Sequence, residues 1–275
     1  MNKSILALAV VASTMVSGFA MAASSWQGQA GTINIGGQLS VPLPTWEWKV
    51  GDGLSSFNTT VTPGSGTSVN IPVNSDMMFL SAKMTHASTS GLVGHNLIPK
   101  VEFRSYDGTT ITPQFNQNKM SLSVKVKDSD SQESLGVLSL PVNYGVVAAL
   151  NIQNNPADSR VGNVSTGAPG TVFEGISANG YATPHNVAMK WAGLSLGELQ
   201  SYVQSFAPSQ PINEVNSYYN FNALSHPNYT ATDRAVMLAY GSGISSGESL
   251  TMTLTNPVNK TINWVAPVEV VVTYS

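Results

Sequence analysis

The sequence contains no cysteine. In a chain of 275 residues this excludes disulfide staples, thiolate metal sites and a cysteine nucleophile, so stability must come from burial and strand pairing. Charge is scarce too. Asp, Glu, Lys and Arg make up 10% of the residues, against about a quarter in ordinary soluble domains. The 12 basic residues are dispersed rather than clustered, and the formal charge is −3, which argues against nucleic acid or an anionic membrane surface as partner. Long apolar runs are also lacking: Ile5 to Val16 stands out, and it is shorter than the ~20 residues that a bilayer crossing needs.

That run follows a lone basic residue, Lys3, and ends at the small residues Ala20-Met21-Ala22. The pattern reads as a secretory signal over residues 1–22, cleaved before Ala23. The mature chain of roughly 250 residues then suffices for one large sandwich or barrel with inserted loops, or for two small domains.

Most of it reads as short strands separated by turn chemistry. Ser68–Val73, Asn96–Arg104, Thr109–Phe115, Met120–Lys127, Leu135–Val142, Glu248–Thr255, Lys260–Trp264 and Pro267–Tyr274 mostly carry Val, Ile, Leu or Phe at alternate positions, as half-buried strands do. Asp107-Gly108 predicts a two-residue hairpin, and Asp128 to Ser131 and Asn256-Pro257 predict two more. One stretch has helical spacing: Leu196, Leu199, Val203 and Phe206 share a face, and Ser195 with Glu198 forms a capping box. A second helix is expected from Thr232 through Val236, Met237 and Tyr240. Residues 150–240 therefore read as a helix-bearing insertion in an all-β protein.

The two ends alternate most cleanly. In residues 32–39, Ile33, Ile35, Gly37 and Leu39 fall on one face of an extended strand, behind a leader loosened by Gly28 and Gly31. At the C-terminus, Val268, Val270, Val272 and Tyr274 do the same. By spacing alone that last segment is equally the closing strand of a complete sandwich.

Three strings in this order carry a resemblance: Ile33-Asn34-Ile35-Gly36-Gly37 behind the signal, Trp46-Glu47-Trp48-Lys49-Val50-Gly51-Asp52-Gly53-Leu54, and Trp264-Val265-Ala266-Pro267 running to Tyr274-Ser275. Shorter matches include Leu97 to Lys100, Gly170 to Gly175 and Tyr240 to Gly243. Together they resemble the major subunits of chaperone-usher fimbriae of enteric bacteria, of the K-eighty-eight and F-forty-one type, in which the major subunit is itself the adhesin. The resemblance implies an immunoglobulin-like sandwich lacking its last strand, over residues 41–275, and a donor strand within residues 23–40. Its implied partners are a periplasmic chaperone, an outer-membrane usher, neighbouring identical subunits and host glycoconjugates. Its implied destination is the cell-surface fimbria, reached through the periplasm. The matching positions make Ile33, Ile35, Gly37 and Leu39 the donor face and Val268, Val270, Val272 and Tyr274 the strand that borders the groove and is read by the chaperone. Strand addition of this kind takes affinity from main-chain hydrogen bonds and specificity from alternate side chains. Burying two isoleucines and a leucine contributes on the order of 5 to 8 kcal/mol before ordering costs.

Within the insertion, Tyr181, His185, Trp191, Tyr218 and Tyr219 supply aromatic faces, most with polar tips, that suit a glycan's C–H faces and hydroxyls. The same side chains suit the insertion's own core. No catalytic residue, metal ligand set or cofactor emerges. Gly243-Ile244-Ser245-Ser246-Gly247 has the pattern of a nucleophile elbow but leads into a strand pattern rather than a helix, so it reads as a hairpin loop. Asp128, Asp130 and Glu133 lack the ligand series of a calcium loop, and the four histidines have no metal-ligand spacing. The reading is a non-enzymatic adhesive fibre subunit. The alternative is a secreted all-β protein that binds or hydrolyses polysaccharide, the latter needing two carboxylates across a cleft.

Overall fold

The computed structural model describes residues 43–51 and 57–275. The chain divides into Met1–Val41 and Pro42–Ser275, and the described residues belong to the second unit. The expected signal over 1–22 and the donor face of Ile33, Ile35, Gly37 and Leu39 lie outside the described residues.

In chain order the elements are β1 (Trp46–Val50), β2 (Ser68–Pro72), β3 (Met77–Met84), β4 (Pro99–Ser105), β5 (Thr110–Ile111), β6 (Gln114–Asn116), β7 (Lys119–Asp128), β8 (Ser134–Ile152), β9 (Arg160–Ser165) and β10 (Ala182–Thr183). Then come α1 (His185–Ala192), α2 (Leu196–Gln204), β11 (Asn213–Asn220), α3 (Pro227–Thr230), β12 (Arg234–Ile244), β13 (Ser249–Leu254), β14 (Trp264–Val265) and β15 (Val268–Tyr274). The fold is all-β with a small helical part. A large sheet follows the path β1-β3-β12-β8-β13-β2, and a small one has the order β15-β4-β5. The two meet through apolar side chains such as Phe79 and Phe103, whose rings lie 5.8 Å apart.

The 19-residue β8 organises the large sheet. Its first half pairs with β7 on one side and with β13 through residues 136–139 on the other. Its second half pairs with β12 and β9. Burial changes along it. Residues 138–142 alternate between buried and half-buried, whereas residues 144–152 are buried at every position, as in a strand covered on both faces.

Helix α1 supplies that second cover. It lies so close to the sheet that Gly145 of β8 and Gly241 of β12, which are register partners, leave no room for a side chain. A Cβ at Gly145 would come within 2.5 Å of the Pro184 carbonyl oxygen, and one at Gly241 would collide with the Ala188 carbonyl. Helix α2 follows as expected: Ser195 accepts from the Glu198 N–H, the Glu198 carboxylate accepts from the Ser195 N–H at 2.7 Å, and Leu199 and Val203 are buried. The Ser195 N–H and hydroxyl hold the Glu198 carboxyl below its usual range.

Four expectations need correction. The helix predicted from Thr232 is strand β12, because Ala235 to Tyr240 is an unbroken apolar run buried on both faces, and such a run has no strand alternation to read. Helix α1 was not foreseen; Pro184 precedes it without a side-chain cap. The Asp107-Gly108 hairpin has a three-residue loop: the Ser105 N–H donates to Thr109 O, and the Gly108 N–H donates to Ser105 O with Gly108 at φ 80°. Asn256-Pro257 closes no hairpin, since β14 pairs with β7 rather than β13, and of the expected 260–264 strand only Trp264 is paired, together with Val265 beyond it. The Gly243–Gly247 segment is the turn from β12 into β13, with the Glu248 N–H donating to Ser245 O at 3.2 Å.

Candidate functional site

Two concavities stand out. The larger, about 1200 Å³, lies between β15 and the uncovered face of the large sheet. Its lining follows the pleat: Val69 and Ile71 of β2, Leu138 and Leu140 of β8, Met252 and Leu254 of β13, and Val268 and Val270 of β15 are each two residues apart, so that alternate side chains point the same way. Met252 is in register with both Val69 and Leu138, so one apolar row crosses three strands. Phe79, Phe57, Val61, Val258 and Trp264 add to the apolar surface. Among the described residues, β15 is paired with β4 alone and β2 with β13 alone, so strand edges border the groove. An apolar channel flanked by strand edges has the chemistry to accept one more extended strand.

Of the four C-terminal positions expected at the groove, Val268 and Val270 line it and are half-buried. Val272 is half-buried against the core, and Val271 on the opposite face is half-buried as well. Tyr274 stands at the far end, exposed, its hydroxyl accepting from the Trp48 indole N–H at 2.7 Å. Partial burial raises its phenol, against which the indole bond acts in the other direction. The segments 57–61 and 258–267 also shape the groove; sequence reading missed their role because both are irregular apart from the two-residue β14.

The smaller cleft, about 400 Å³, sits where α1 begins beside β9 and β11. Asn163, Pro184, His185, Asn186, Glu214, Val215 and Asn216 line it. Strand β11 runs parallel to β9, and its register shifts between Val215 and Tyr218, which throws Asn216 and Ser217 out of the ladder. The Asn163 side-chain amide steadies that bulge by donating to Asn216 O at 2.8 Å. Its carbonyl oxygen accepts from the His185 backbone N–H at 2.9 Å and lies 2.6 Å from His185 Nδ1. His185 Nε2 lies 2.7 Å from Glu214 Oε1. The histidine side chain is 6% exposed and the glutamate's 44%, so the carboxylate is the accessible member.

The five aromatic candidates separate. Tyr181 and Tyr218 are exposed, and His185 is a buried wall of the small cleft. Trp191 and Tyr219 are buried. The Trp191 ring covers Gly243 of β12, with the Lys190 ammonium 4.5 Å from a ring centroid. The Tyr219 hydroxyl donates to Asp158 O at 2.7 Å, and burial pushes its phenol up. Trp191 and Tyr219 thus serve the core of this region and have little face left for a ligand. Glu214 and Asn163 were not foreseen as site residues, since no binding motif marks them; only the spatial meeting of β9, β11 and α1 reveals them.

Lys190 also reaches Asp76 in the loop between β2 and β3 at 2.6 Å, and Asp76 accepts from the Ser246 N–H at 2.9 Å. These two partners, Lys190 foremost, hold the Asp76 carboxyl below its usual range. Among the described residues no helix is long and apolar enough to cross a membrane.

Comparison with known proteins places the sequence in a family. The model of the family described as "Fimbrial, major and minor subunit" matches residues 1–275. The F41 fimbrial protein of Escherichia coli is 44% identical over the full length of both chains. The K88 fimbrial proteins AC and AD, also of Escherichia coli, are 27% and 26% identical, again over the full length of both chains. The chain therefore belongs to the fimbrial major and minor subunit family.

Proposed function

We propose that this protein is the major structural subunit of an adhesive fimbria, and that it polymerises by donor-strand complementation through the larger groove. The observation that carries the reading is the groove itself: an apolar channel of about 1200 Å³ bordered by β15 and β2 in a member of a fimbrial subunit family. Such a surface associates in water unless something covers it. The N-terminal segment supplies a matching sequence, in which Ile33, Ile35, Gly37 and Leu39 alternate as the face of a donor strand would. Donor from one copy and acceptor on the next give a head-to-tail contact that does not close, and such contacts generate filaments. In this reading the domain over residues 41–275 is an incomplete immunoglobulin-like sandwich. A periplasmic chaperone covers the groove until the outer-membrane usher exchanges it for the neighbour's strand, and the fibre is displayed outside the cell.

Deleting residues 23–39 should leave a subunit that is still captured by its chaperone but forms no fibres in electron micrographs. Long fibres from that deletion would overturn the donor assignment.

Adhesion is assigned to host glycans, and the small cleft beside α1 is the favoured site. It is polar, it presents the accessible carboxylate of Glu214 together with the amides of Asn186 and Asn216, and it lies on the same β9–β11 layer as exposed Tyr218. Carboxylates and amides recognise sugar hydroxyls, while an aromatic ring packs on C–H faces. The roles are non-catalytic. Glycan-array binding by polymerised fibres tests this: Glu214→Ala and Tyr218→Ala should lose signal, whereas undiminished binding by both would move the site elsewhere.

A further inference from the structure

We infer that the turn Asn179-Gly180 is a site of self-modification, where the asparagine converts to aspartate and isoaspartate without an enzyme, so that the chain carries a chemical mark of its age.

The pair Asn-Gly occurs once in the sequence, at residues 179–180, and the related pair Asp-Gly twice, at 52–53 and 107–108. In each, the side-chain carbonyl carbon stands one ring closure away from the backbone nitrogen of the next residue. Glycine favours that closure because it has no Cβ to crowd the nitrogen. What holds the two groups in the folded chain then decides whether they react.

At Asn179 nothing holds them. Asn179 and Gly180 are both exposed, in the turn that leads into β10. Among the described residues, neither the Asn179 side-chain amide nor the Gly180 N–H takes part in a hydrogen bond. Gly180 has φ 83°, and a Cβ placed on it would meet no atom within 4 Å. The flanks are fixed: the Ala178 N–H donates to the Tyr144 hydroxyl at 3.0 Å, and the Thr183 hydroxyl accepts from the Val146 N–H at 2.8 Å. A loose turn therefore hangs between two anchored ends.

Asp107-Gly108 is the internal contrast. There the Gly108 N–H donates to Ser105 O at 2.9 Å, while the carboxylate is held by Lys125 at 2.5 Å and by the Thr109 N–H at 3.1 Å. The same ring closure has to break these bonds first. Asp52-Gly53 lies outside the described residues.

The reaction uses water alone. The Gly180 nitrogen gives up its proton and attacks the Asn179 side-chain carbonyl carbon. A C–N bond forms, and the bond to the side-chain nitrogen breaks, which leaves with a proton as ammonia. Water then opens the five-membered succinimide at either carbonyl. One opening restores the original backbone and leaves aspartate; the other routes the backbone through the side chain and leaves isoaspartate. Either product adds a carboxylate, which takes the formal charge from −3 to −4. The extra backbone carbon of isoaspartate falls between the two anchors, where the exposed turn can absorb it.

Peptide mass spectrometry on the full chain tests this, with one sample kept folded at pH 8 and 37 °C and another unfolded in guanidinium under the same conditions. In the folded sample the peptide containing Asn179 should gain one mass unit and separate into two isomers. Its rate should lie within roughly threefold of the unfolded rate, since exposed turns open at almost no cost. Isomerisation of Asp107, seen as a second peak of unchanged mass, should be roughly tenfold or more slower in the folded sample, because hydrogen bonds to a charged group must break. The Asn179 rate should also rise with pH, as the attacking nitrogen must lose its proton. Asn179→Gln should remove the conversion at this position, since a glutamine needs a six-membered ring that closes far more slowly. A folded rate at Asn179 more than about threefold below the unfolded one overturns the assignment, because the turn is then protected. Aspartate formed without isoaspartate overturns it equally, since that product comes from direct hydrolysis and not from the ring.

Discussion

The two halves of β8 belong to one strand and have opposite fates. From Gly145 to Ile152 every residue is buried, with α1 pressed on the glycine floor and β9 and β12 at the edges. At Leu138 and Leu140 the same strand turns apolar side chains into an open groove. The covered half is finished by the chain's own helices, whereas the other half faces the groove that the proposed donor strand would fill. On that reading the difference teaches where folding ends and assembly begins.

The sharpest way to break this comparison is to put a charge on the proposed donor. Ile35→Asp should abolish fibres while the chaperone-bound subunit persists, because an unpaired buried carboxylate costs several kcal/mol, or about as much as the whole strand contributes. Fibre yield by electron microscopy reports it. The corresponding insult on the covered half should act on folding instead. Gly241→Val would drive a side chain into the backbone of α1 and cost on the order of 1–3 kcal/mol or more, lowering the yield and melting temperature of the chaperone-bound subunit itself.

A milder change to the same half is Ser195→Ala, which removes the α2 cap and should cost about 1 kcal/mol by thermal or denaturant unfolding, without altering assembly. The smallest effect is expected at the exposed β4–β5 hairpin, where Asp107 meets Lys125 of β7. Lys125, 2.5 Å away, with the Thr109 hydroxyl and N–H, lowers the Asp107 carboxyl to about 2. A folded value below the unfolded one of about 3.9 means that the stabilisation is present above that pH and lost as pH falls through about 2. The melting-temperature gap between wild type and Asp107→Asn should therefore be small at pH 6 and vanish near pH 2.

The comparison also explains what could be read from the sequence. Strands with one face on the core and one in solvent, such as β7 with Met120, Leu122, Val124 and Val126 buried, alternate visibly and were legible. Strand β12 and the far half of β8 are covered on both faces, so their apolar runs carry no period. Helix α1 was hidden because it is eight residues long and lacks a capping side chain. At the groove, Val268 and Val270 were legible from the terminal alternation, but Leu138, Met252 and Val69 become one row only through strand register. The polar cleft was less legible still. His185 was noticed for its ring, while its partners Asn163 and Glu214 lie 22 and 29 residues away.

The absence of cysteine makes the central claim directly testable, since any disulfide would be an engineered one. Ile35→Cys can be combined in turn with Val69→Cys, Leu138→Cys, Leu140→Cys or Val270→Cys, with exposed Ser201→Cys on α2 as control, and assembled fibres run on a non-reducing denaturing gel. Donor-strand complementation predicts a ladder of covalently linked subunits for at least one groove position and none for the control. Fibres that form normally yet give no ladder at any groove position would contradict it.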